Sequence, residues 1–303
     1  MKDKLKKFLI PISLSVFVLA CSVLGFSGAL KQKSGDKTYS KWMESLSDLT
    51  LLRTIAMPGS HDTMALHSIG DLAGQCQSLS LEDQLNLGVR FLDIRLKEDK
   101  NELKAVHGFV DQKAKFDSIT KTIEKFIEDN PSEFIIMSVK EEDDPSSSTI
   151  SFEDCLKGYL KSDIYWKNDI LPLTLGQVRG KVLLLSRYAS PTIGINAYDG
   201  WADSCSFTLS KHDIYVQDTY KITSSEDKKE EIKKCFNEIG HMLKINFLSA
   251  YKTDYFPPSY APSAALDINP WINDEISNYK DRGIVLYDFV TKASMDSFFE
   301  GIL

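Results

Sequence analysis

The sequence has little of what fibrous or disordered chains have in excess. Glycine and proline number only 16 and 10 in 303 residues, while hydrophobic residues make up 43% and charged residues 26%. These values are close to globular averages, so they exclude a collagenous, coiled-coil or disordered chain and allow a sizeable core. Basic residues are also few, with 36 Lys and Arg against 43 Asp and Glu. This deficit argues against a nucleic-acid partner.

Cysteine is scarce as well. The chain has five cysteines and no CxxC or local Cys/His cluster, which argues against a zinc site. If an N-terminal segment that contains Cys21 is removed during export, Cys76, Cys155, Cys205 and Cys235 remain. This even number allows three disulfide pairings in an oxidising compartment. Four unpaired buried thiols are an equally good interpretation.

The first thirty residues predict export from a bacterial cell. Four lysines lie within the first seven residues, and residues 8–30 carry no charge. This is the pattern of a signal peptide, although the uncharged run is also long enough for a retained membrane anchor. Residues 18–21 (VLAC) resemble a lipoprotein signal that would be lipidated at Cys21, and residues 27–29 (SGA) offer an ordinary cleavage site. Cutting before Cys21 takes the net charge from −7 to −10.

Short apolar runs alternate with helical patterns after residue 50, without repeats or linkers, so residues 40–303 are predicted to form a single domain. Eight strands are predicted, at 52–57, 89–96, 104–106, 133–139, 181–186, 213–217, 245–250 and 283–289. Helices are predicted from Asp117 to the residues before Pro131, from Ser151, and over 226–244. Alternating strands and helices favour an α/β fold, a distorted (β/α)₈ TIM barrel whose connections near 97–104 and 187–213 are not helical.

Ionisable residues follow nearly every predicted strand, at the end where a barrel carries its chemistry. These are His61, Asp62, Asp93, Arg95, His107, Lys140, Arg187, Asp218, Tyr220 and Asp288. Asp93 and Arg95 are two apart in an apolar strand, so both side chains are expected on one face. Two histidines, an arginine and several carboxylates suit acid and base attack on a phosphodiester, and the basic members suit an anionic ligand.

Seven ordered blocks then carry a family resemblance: 55–63 (IAMPGSHDT), 85–95 (LNLGVRFLDIR), 106–108 (VHG), 138–141 (SVKE), 184–188 (LLSRY), 216–220 (VQDTY) and 287–289 (YDF). Together the chain resembles the bacterial phosphatidylinositol-specific phospholipase C family over residues 40 to 300. The resemblance implies cleavage of phosphatidylinositol into diacylglycerol and inositol 1,2-cyclic phosphate. Glycosylphosphatidylinositol anchors are a second possible target.

Each site residue takes a role from this resemblance. His61 is expected to be the base, oriented by Asp288, and His107 the acid, backed by Asp62. Arg95, held by Asp93, is expected to stabilise the phosphate charge. Residues expected to bind the inositol ring are Lys140, Arg187, Asp218 and Tyr220, with Trp201 and Glu142 as weaker candidates.

No metal or cofactor is expected. The eukaryotic enzymes place Asn after the first catalytic histidine and acidic calcium ligands on the next strand. This chain has Asp62 and Arg95 there, so a fixed cation stands where calcium would. Docking to the membrane is expected to depend on aromatic residues, Tyr255 and Phe256 above all, because an acidic protein is not attracted to anionic lipid. We expect a monomer.

Two other functions remain open at this point. A glycerophosphodiester phosphodiesterase is also a barrel for lipid headgroups, but it requires a set of calcium-binding carboxylates where this chain has Arg95. A catalytically inactive surface protein that only binds inositol lipids would need neither His61 nor His107.

Overall fold

A twelve-stranded sheet forms the centre of the molecule. The computed structural model describes residues 39–69, 74–253 and 261–303, without the side chains of residues 261 and 262. Its strands are β1 (Met57–Ser60), β2 (Phe91–Asp99), β3 (Glu102–His107), β4 (Val110–Lys115), β5 (Ile135–Ser146), β6 (Tyr165–Trp166), β7 (Val182–Arg187), β8 (Ile195–Asn196), β9 (Ser206–Leu209), β10 (Ile214–Gln217), β11 (Lys221–Ile222), β12 (Leu243–Phe247), β13 (Tyr251–Lys252) and β14 (Ile284–Tyr287). Strands β11 and β13 form a separate pair.

Among the described residues, six α-helices accompany the strands. They are α1 (Leu81–Asn86), α2 (Phe116–Asp129), α3 (Phe152–Tyr159), α4 (Ser225–Asn237), α5 (Ala261–Glu275) and α6 (Lys292–Phe299). Short 3₁₀ turns lie at Trp42–Ser45, Leu52–Thr54, Leu175–Gln177 and Ile276–Asn278. Within the described residues, no helix has the length and apolar character needed to cross a membrane.

Seven parallel strands build the barrel wall, in the order β7-β5-β2-β1-β14-β12-β10. Every residue of β1, β7 and β14 is buried, as expected for parallel strands covered on both faces. Strand β9 continues the path antiparallel to β10, and no pairing among the described residues joins β9 to β6 or β8. The predicted α/β barrel is confirmed, in a distorted form that stays open on this side.

The packing of β1 shows why a glycine, Gly59, lies two residues before His61. A side chain at Gly59 would meet the Phe91 Cβ atom at 2.9 Å and Leu286 at 3.0 Å. Glycine therefore lets β1 lie close between β2 and β14, and this places His61 at the carboxyl end of a buried strand. The prediction of a strand over 52–57 is wrong, because 52–54 form a 3₁₀ turn and pairing begins at Met57.

Two further predictions need correction. The predicted strand at 104–106 exists as β3, but it forms an antiparallel hairpin with β2 and β4 and is no part of the parallel wall. Helix α4 ends at Asn237 and not at residue 244, since Glu238 is extended and Gly240 has a φ of +91°. The next strand then begins at Leu243. The predicted helix before Pro131 and the helix capped by Ser151 are confirmed as α2 and α3.

Candidate active site

A cavity of about 650 Å³ opens at the carboxyl ends of the wall strands, within the size range of ligand sites. Seven of the predicted site residues line it: His61, Arg95, His107, Lys140, Arg187, Asp218 and Tyr220. Three predicted carboxylates, Asp62, Asp93 and Asp288, are buried in the same region, each 1% exposed or less. The predicted membrane contacts Tyr255 and Phe256 lie outside the described residues.

His61 is held between an acid and a guanidinium. Its Nδ1 lies 2.8 Å from Asp288 Oδ1, and Arg95 NH2 lies 2.8 Å from its Nε2. Because a guanidinium can only donate, we assign the lone pair to Nε2 and the proton to Nδ1, which donates to Asp288. The imidazole is thus held as the neutral tautomer that a base needs, with Nε2 as the accepting atom.

Asp93 fixes both arginines of the site. Arg95 Nε and NH2 lie 3.1 and 3.0 Å from its Oδ2, and Arg187 NH1 lies 3.1 Å from its Oδ1. Burial acts to raise the pKa of Asp93, but Arg95 and Arg187, with His61, outweigh it and hold the pKa well below the usual range. Asp93 therefore stays ionised and anchors the positive charge at the cavity wall.

Asp62 is almost as deeply buried as Asp93, but its surroundings are different. Its backbone is left-handed, with a φ of +38°, and its oxygens accept no hydrogen bond from the described residues. Arg95 Nε is 3.7 Å and His107 Nδ1 3.6 Å from Oδ2. Burial raises the pKa of Asp62 to about 7, against the lowering effect of Arg95 and His61. This carboxyl can hold a proton near neutral pH.

His107 reaches the cavity from the end of the hairpin strand β3. Its Nδ1 lies 2.9 Å from the carbonyl oxygen of Gly74, to which it donates, so Nε2 is the nitrogen left for a substrate. Asp62 is at ion-pair distance from this histidine and does not accept a hydrogen bond from it. Burial, together with the charge of Arg95, lowers the pKa of His107.

An aromatic and charged subsite adjoins the two histidines. The Arg187 guanidinium stacks on the Trp201 ring at 3.6 Å, and Trp201 Nε1 donates to Asp218 Oδ2 at 3.2 Å. Lys140 Nζ lies 2.5 Å from Glu142 Oε2, and the Tyr220 hydroxyl donates to Asp203. Such an arrangement offers a flat ring face and several donors and acceptors, which suit a polyhydroxylated ring.

The basic residues predicted to suit an anionic ligand are all paired with carboxylates. Arg95, Arg187 and Lys140 each pair with a carboxylate, and Glu142 lies between two of them, 3.6 Å from Arg95 NH1. Burial alone would raise the pKa of Glu142, but Arg95 and Lys140 lower it to about 2. The site is therefore a network of fixed pairs, in which an anion competes with carboxylates for the arginines.

Two buried residues that position the site are not evident from the motifs. Gln77 Nε2 donates to the carbonyl oxygens of His61 and Tyr287, at 2.8 Å each. Lys228 Nζ donates to the Thr219 carbonyl at 2.7 Å, between the two predicted ring contacts on that loop. Lys228 precedes Ile232 and Cys235 at helical spacing on the buried face of α4, and this spacing was the available signal.

The four described cysteines, Cys76, Cys155, Cys205 and Cys235, are free thiols. Cys76 is fully buried and lies at the wall of the cavity. The pairing question left open by the sequence is thus answered with no disulfide among the described residues.

The fold and site together define a distorted α/β barrel with two histidines and a fixed arginine around a cavity for an anionic ligand. The family model for "Phosphatidylinositol-specific phospholipase C, X domain" matches residues 56–188. That range holds both histidines, Arg95, Lys140 and Arg187, while Asp218, Tyr220 and Asp288 lie beyond it. Residues 56–188 thus carry this domain, and the chain is similar over most of its length to bacterial phosphatidylinositol-specific phospholipases C.

Relatives cover most of the chain. The 1-phosphatidylinositol phosphodiesterase of Listeria monocytogenes is 29% identical over 275 residues, spanning 85% of this chain and 83% of the relative. The protein of the same name from Staphylococcus aureus is 27% identical over 273 residues, with coverage of 82% and 78%. The solved Listeria phosphatidylinositol-specific phospholipase C has a TM-score of 0.72 at 26% identity, covering 87% of this chain and 98% of that chain.

A solved double mutant of the Staphylococcus aureus enzyme gives a TM-score of 0.73 at 26% identity. It covers 86% of this chain and 97% of that chain. The similarity therefore extends over the whole barrel and not only over the part that the family model matches.

Proposed function

We propose that the protein cleaves phosphatidylinositol into diacylglycerol and inositol 1,2-cyclic phosphate, without a metal ion. The observation that carries this proposal is the state of His61, whose Nε2 lone pair faces the cavity beside Arg95 while Nδ1 is bonded to Asp288. A base and a phosphate-binding guanidinium at one point suit removal of a proton from a hydroxyl next to a phosphodiester. Similarity to the 1-phosphatidylinositol phosphodiesterases of Listeria monocytogenes and Staphylococcus aureus supports the same substrate.

The reaction is an attack within one molecule. His61 Nε2 takes the proton of the inositol 2-hydroxyl, whose oxygen then bonds to phosphorus, and the bond from phosphorus to the diacylglycerol oxygen breaks. His107 supplies the proton to that leaving oxygen. Arg95, fixed by Asp93, stabilises the charge on the non-bridging oxygens. Attack from a neighbouring hydroxyl needs no second molecule to be positioned, which lowers the entropic cost.

His107 must be protonated to act as the acid, yet burial and the charge of Arg95 lower its pKa. A bound phosphate brings negative charge next to both groups, and an adjacent negative charge favours the imidazolium. Binding of the phosphate therefore favours the protonated form of His107, which is the form that acts as the acid. Asp62, 3.6 Å away, supplies a further carboxyl on the side of Nδ1.

The inositol ring is assigned to the subsite of Lys140, Arg187, Asp218 and Tyr220, with Trp201 as its aromatic wall. Glu142 joins this set because it lines the cavity and bonds Lys140. The ring hydroxyls would replace some of the side-chain pairs that the structure shows, such as the pair of Lys140 and Glu142.

Docking on the membrane is assigned to apolar residues around the mouth. Phe109 follows His107 by two residues and is 82% exposed, and Ile69 is 55% exposed. Tyr255 and Phe256 remain proposed for the same role. Apolar contact is needed because the chain carries a net charge of −7 and its lipid is anionic.

Export, with residues 1–30 as leader and residues 40–303 as the catalytic domain, remains part of the proposal, as does lipidation at Cys21. The mass of the mature N-terminus decides between lipidation, cleavage after Ala29 and a retained anchor. Partners other than the lipid are not proposed, and the protein is expected to act as a monomer.

Phosphorus NMR of the product tests the proposal. Phosphatidylinositol vesicles are treated with the protein in excess EDTA, and the signal of a five-membered cyclic phosphate is expected to appear first. Direct formation of inositol 1-phosphate, or dependence on added calcium, would contradict the mechanism. Calcium-dependent release of glycerol phosphate from glycerophosphoinositol would favour the glycerophosphodiester phosphodiesterase, and binding without turnover would favour the inactive lipid-binding protein.

A further inference from the structure

A thiol that the proposed reaction does not use lies next to the acid. Cys76 Sγ is 3.8 Å from His107 Nδ1, and the residue is 0% exposed. The ligand atoms of Asp62, Cys76 and His107 all lie within 4.8 Å of one another. These three residues, here called the thiol cluster, bring a sulfur, a nitrogen and an oxygen to one point although they are distant in sequence.

The carboxyl of this cluster gives an independent indication of a ligand. Asp62 is 1% exposed, and neither of its oxygens accepts a hydrogen bond from the described residues. Oδ2 is 3.6 Å from His107 Nδ1, the same nitrogen that Cys76 approaches. A buried carboxylate with unused acceptor capacity is costly unless a cation or a donor joins it.

We propose that the thiol cluster binds a thiophilic divalent cation of the zinc class, and that this cation inhibits the enzyme. Zinc takes Cys, His and Asp ligands in a tetrahedron with bonds of about 2.0–2.3 Å, which separates ligand atoms by about 3.3–3.6 Å. The separations of 3.8 and 3.6 Å from Nδ1 are close to these values, and the third, between Cys76 and Asp62, is at most 4.8 Å, so the ligands would move inward on binding. Calcium and magnesium require six or more ligands, mainly oxygens, which this cluster does not supply.

A second cluster shares the thiol, formed by His61, Cys76 and Asp288. There, however, His61 Nδ1 and Asp288 Oδ1 are bonded to each other at 2.8 Å, so a cation would break a charge-assisted bond between two of its own ligands. In the thiol cluster, only the bond from His107 Nδ1 to the neutral Gly74 carbonyl is lost. The positive charge nearest to Asp62 is Arg95, which is bound to Asp93 at 3.0 Å. The ion pair with Asp93 reduces the repulsion between Arg95 and a bound cation. The thiol cluster is therefore favoured over the second cluster.

Binding changes the protons of the site in a defined way. The Cys76 thiol loses its proton to solvent, as does the Asp62 carboxyl wherever it is protonated. His107 Nδ1 gives up its bond to Gly74 to coordinate the cation through its lone pair. The imidazole keeps a single proton, which moves to Nε2. It cannot then become the imidazolium that protonates the leaving oxygen, so turnover stops. This inhibition rests on the proposed function, whereas the binding itself does not.

Cobalt titration tests the binding separately from activity. The full chain is first treated with EDTA and desalted, and Co²⁺ is then added while the near-ultraviolet thiolate-to-cobalt band is recorded. We expect the band in the unmodified protein and in Cys205→Ser, a matched control because Cys205 is exposed. The band should be absent in Cys76→Ser, and Zn²⁺ should displace cobalt. No band in the unmodified protein, or an equal band in Cys76→Ser, overturns the proposal.

Two carboxylate variants distinguish the clusters without altering the thiol. Asp62→Asn should weaken cobalt binding by at least about tenfold, whereas Asp288→Asn should leave it within about threefold. The reverse order would overturn the assignment to Asp62. Circular dichroism and thermal melting establish that each variant is folded, and the Asp62→Asn result stands even if Cys76→Ser does not fold.

Activity forms the second arm. Zinc should lower the cleavage of phosphatidylinositol vesicles, EDTA should restore it, and Cys76→Ser should need at least about tenfold more zinc relative to its own zinc-free rate. Equal sensitivity in both proteins would contradict inhibition through this thiol. A protein without phospholipase activity that still gives the cobalt band would refute the proposed function and leave the cation site intact.

Discussion

Replacing Asp62 by Asn is expected to make the protein more stable at alkaline pH while reducing its activity. Asp62 is buried, and its oxygens accept no hydrogen bond from the described part of the chain. Asparagine has nearly the same shape and tolerates the left-handed backbone at this position, where φ is +38°. The substitution therefore removes an ionisable proton with little change in packing.

The magnitude follows from the pKa. Burial raises the pKa of Asp62 from 3.8 to about 7, and each pH unit of this difference corresponds to about 1.4 kcal/mol. Between these two values the folded protein holds the proton and the unfolded chain has lost it, so the free energy of unfolding falls as pH rises. The loss reaches about 4 kcal/mol above pH 7. The Asn side chain does not ionise, so the free energy of unfolding of Asp62→Asn should lack this decrease.

Urea unfolding of both proteins at intervals from pH 4 to pH 8 measures the effect. The free energy of unfolding of Asp62→Asn, relative to the unmodified protein, should rise by about 4 kcal/mol over this range. Asp93→Asn is the contrasting variant, because the arginines hold the pKa of Asp93 well below the usual range. It should lose stability at neutral pH. A difference for Asp62→Asn that does not change with pH, or that falls, would refute the reasoning.

Further predictions concern the reaction itself. His61→Ala and His107→Ala should each lower turnover by roughly 10²–10⁴, and a substrate with a better leaving group should partly rescue only His107→Ala; equal rescue would contradict the two roles. Arg95→Lys should stay well below full activity on phosphatidylinositol, since an ammonium cannot replace the planar guanidinium. Trp201→Ala should raise KM more than it lowers kcat, because Arg187 loses its stacking partner. Phe109→Ala should slow cleavage of bilayers but not of a soluble short-chain substrate, and equal losses on both would show a structural role.

Many residues that line the site could be predicted because an ionisable residue at the end of an apolar run is visible in the local sequence. A buried strand followed by His61-Asp62, and the two-residue spacing of Asp93 and Arg95, place these side chains at one end of the barrel. The approximate positions of most wall strands and of helices α2 and α3 follow from hydrophobic runs and from caps such as Ser151, whose side chain accepts from the Asp154 amide. These features depend on neighbours in sequence, which a single chain displays directly.

Other features depend on contacts that no local pattern records. Cys76 and Gln77 lie in a stretch without secondary structure, yet they contact His107 and His61 because the barrel brings that stretch across the strand ends. The strand that carries His107 looks like any short apolar run, and only its pairing shows that it belongs to a hairpin. The thiol cluster has no local sequence signal for the same reason, since its three members are separated in sequence.

The contact between Arg95 and His61 would keep the proposed base inactive until an anion binds. The Nε2 lone pair of His61 accepts a hydrogen bond from Arg95 NH2 at 2.8 Å, and in that arrangement it cannot accept the proton of a hydroxyl. On the proposed mechanism, a phosphate oxygen would compete for the same guanidinium, so binding of the phosphate would free the base. Free inositol lacks that charge and would leave the contact between Arg95 and His61 in place. The arginine would thus make activation of His61 depend on an anionic headgroup.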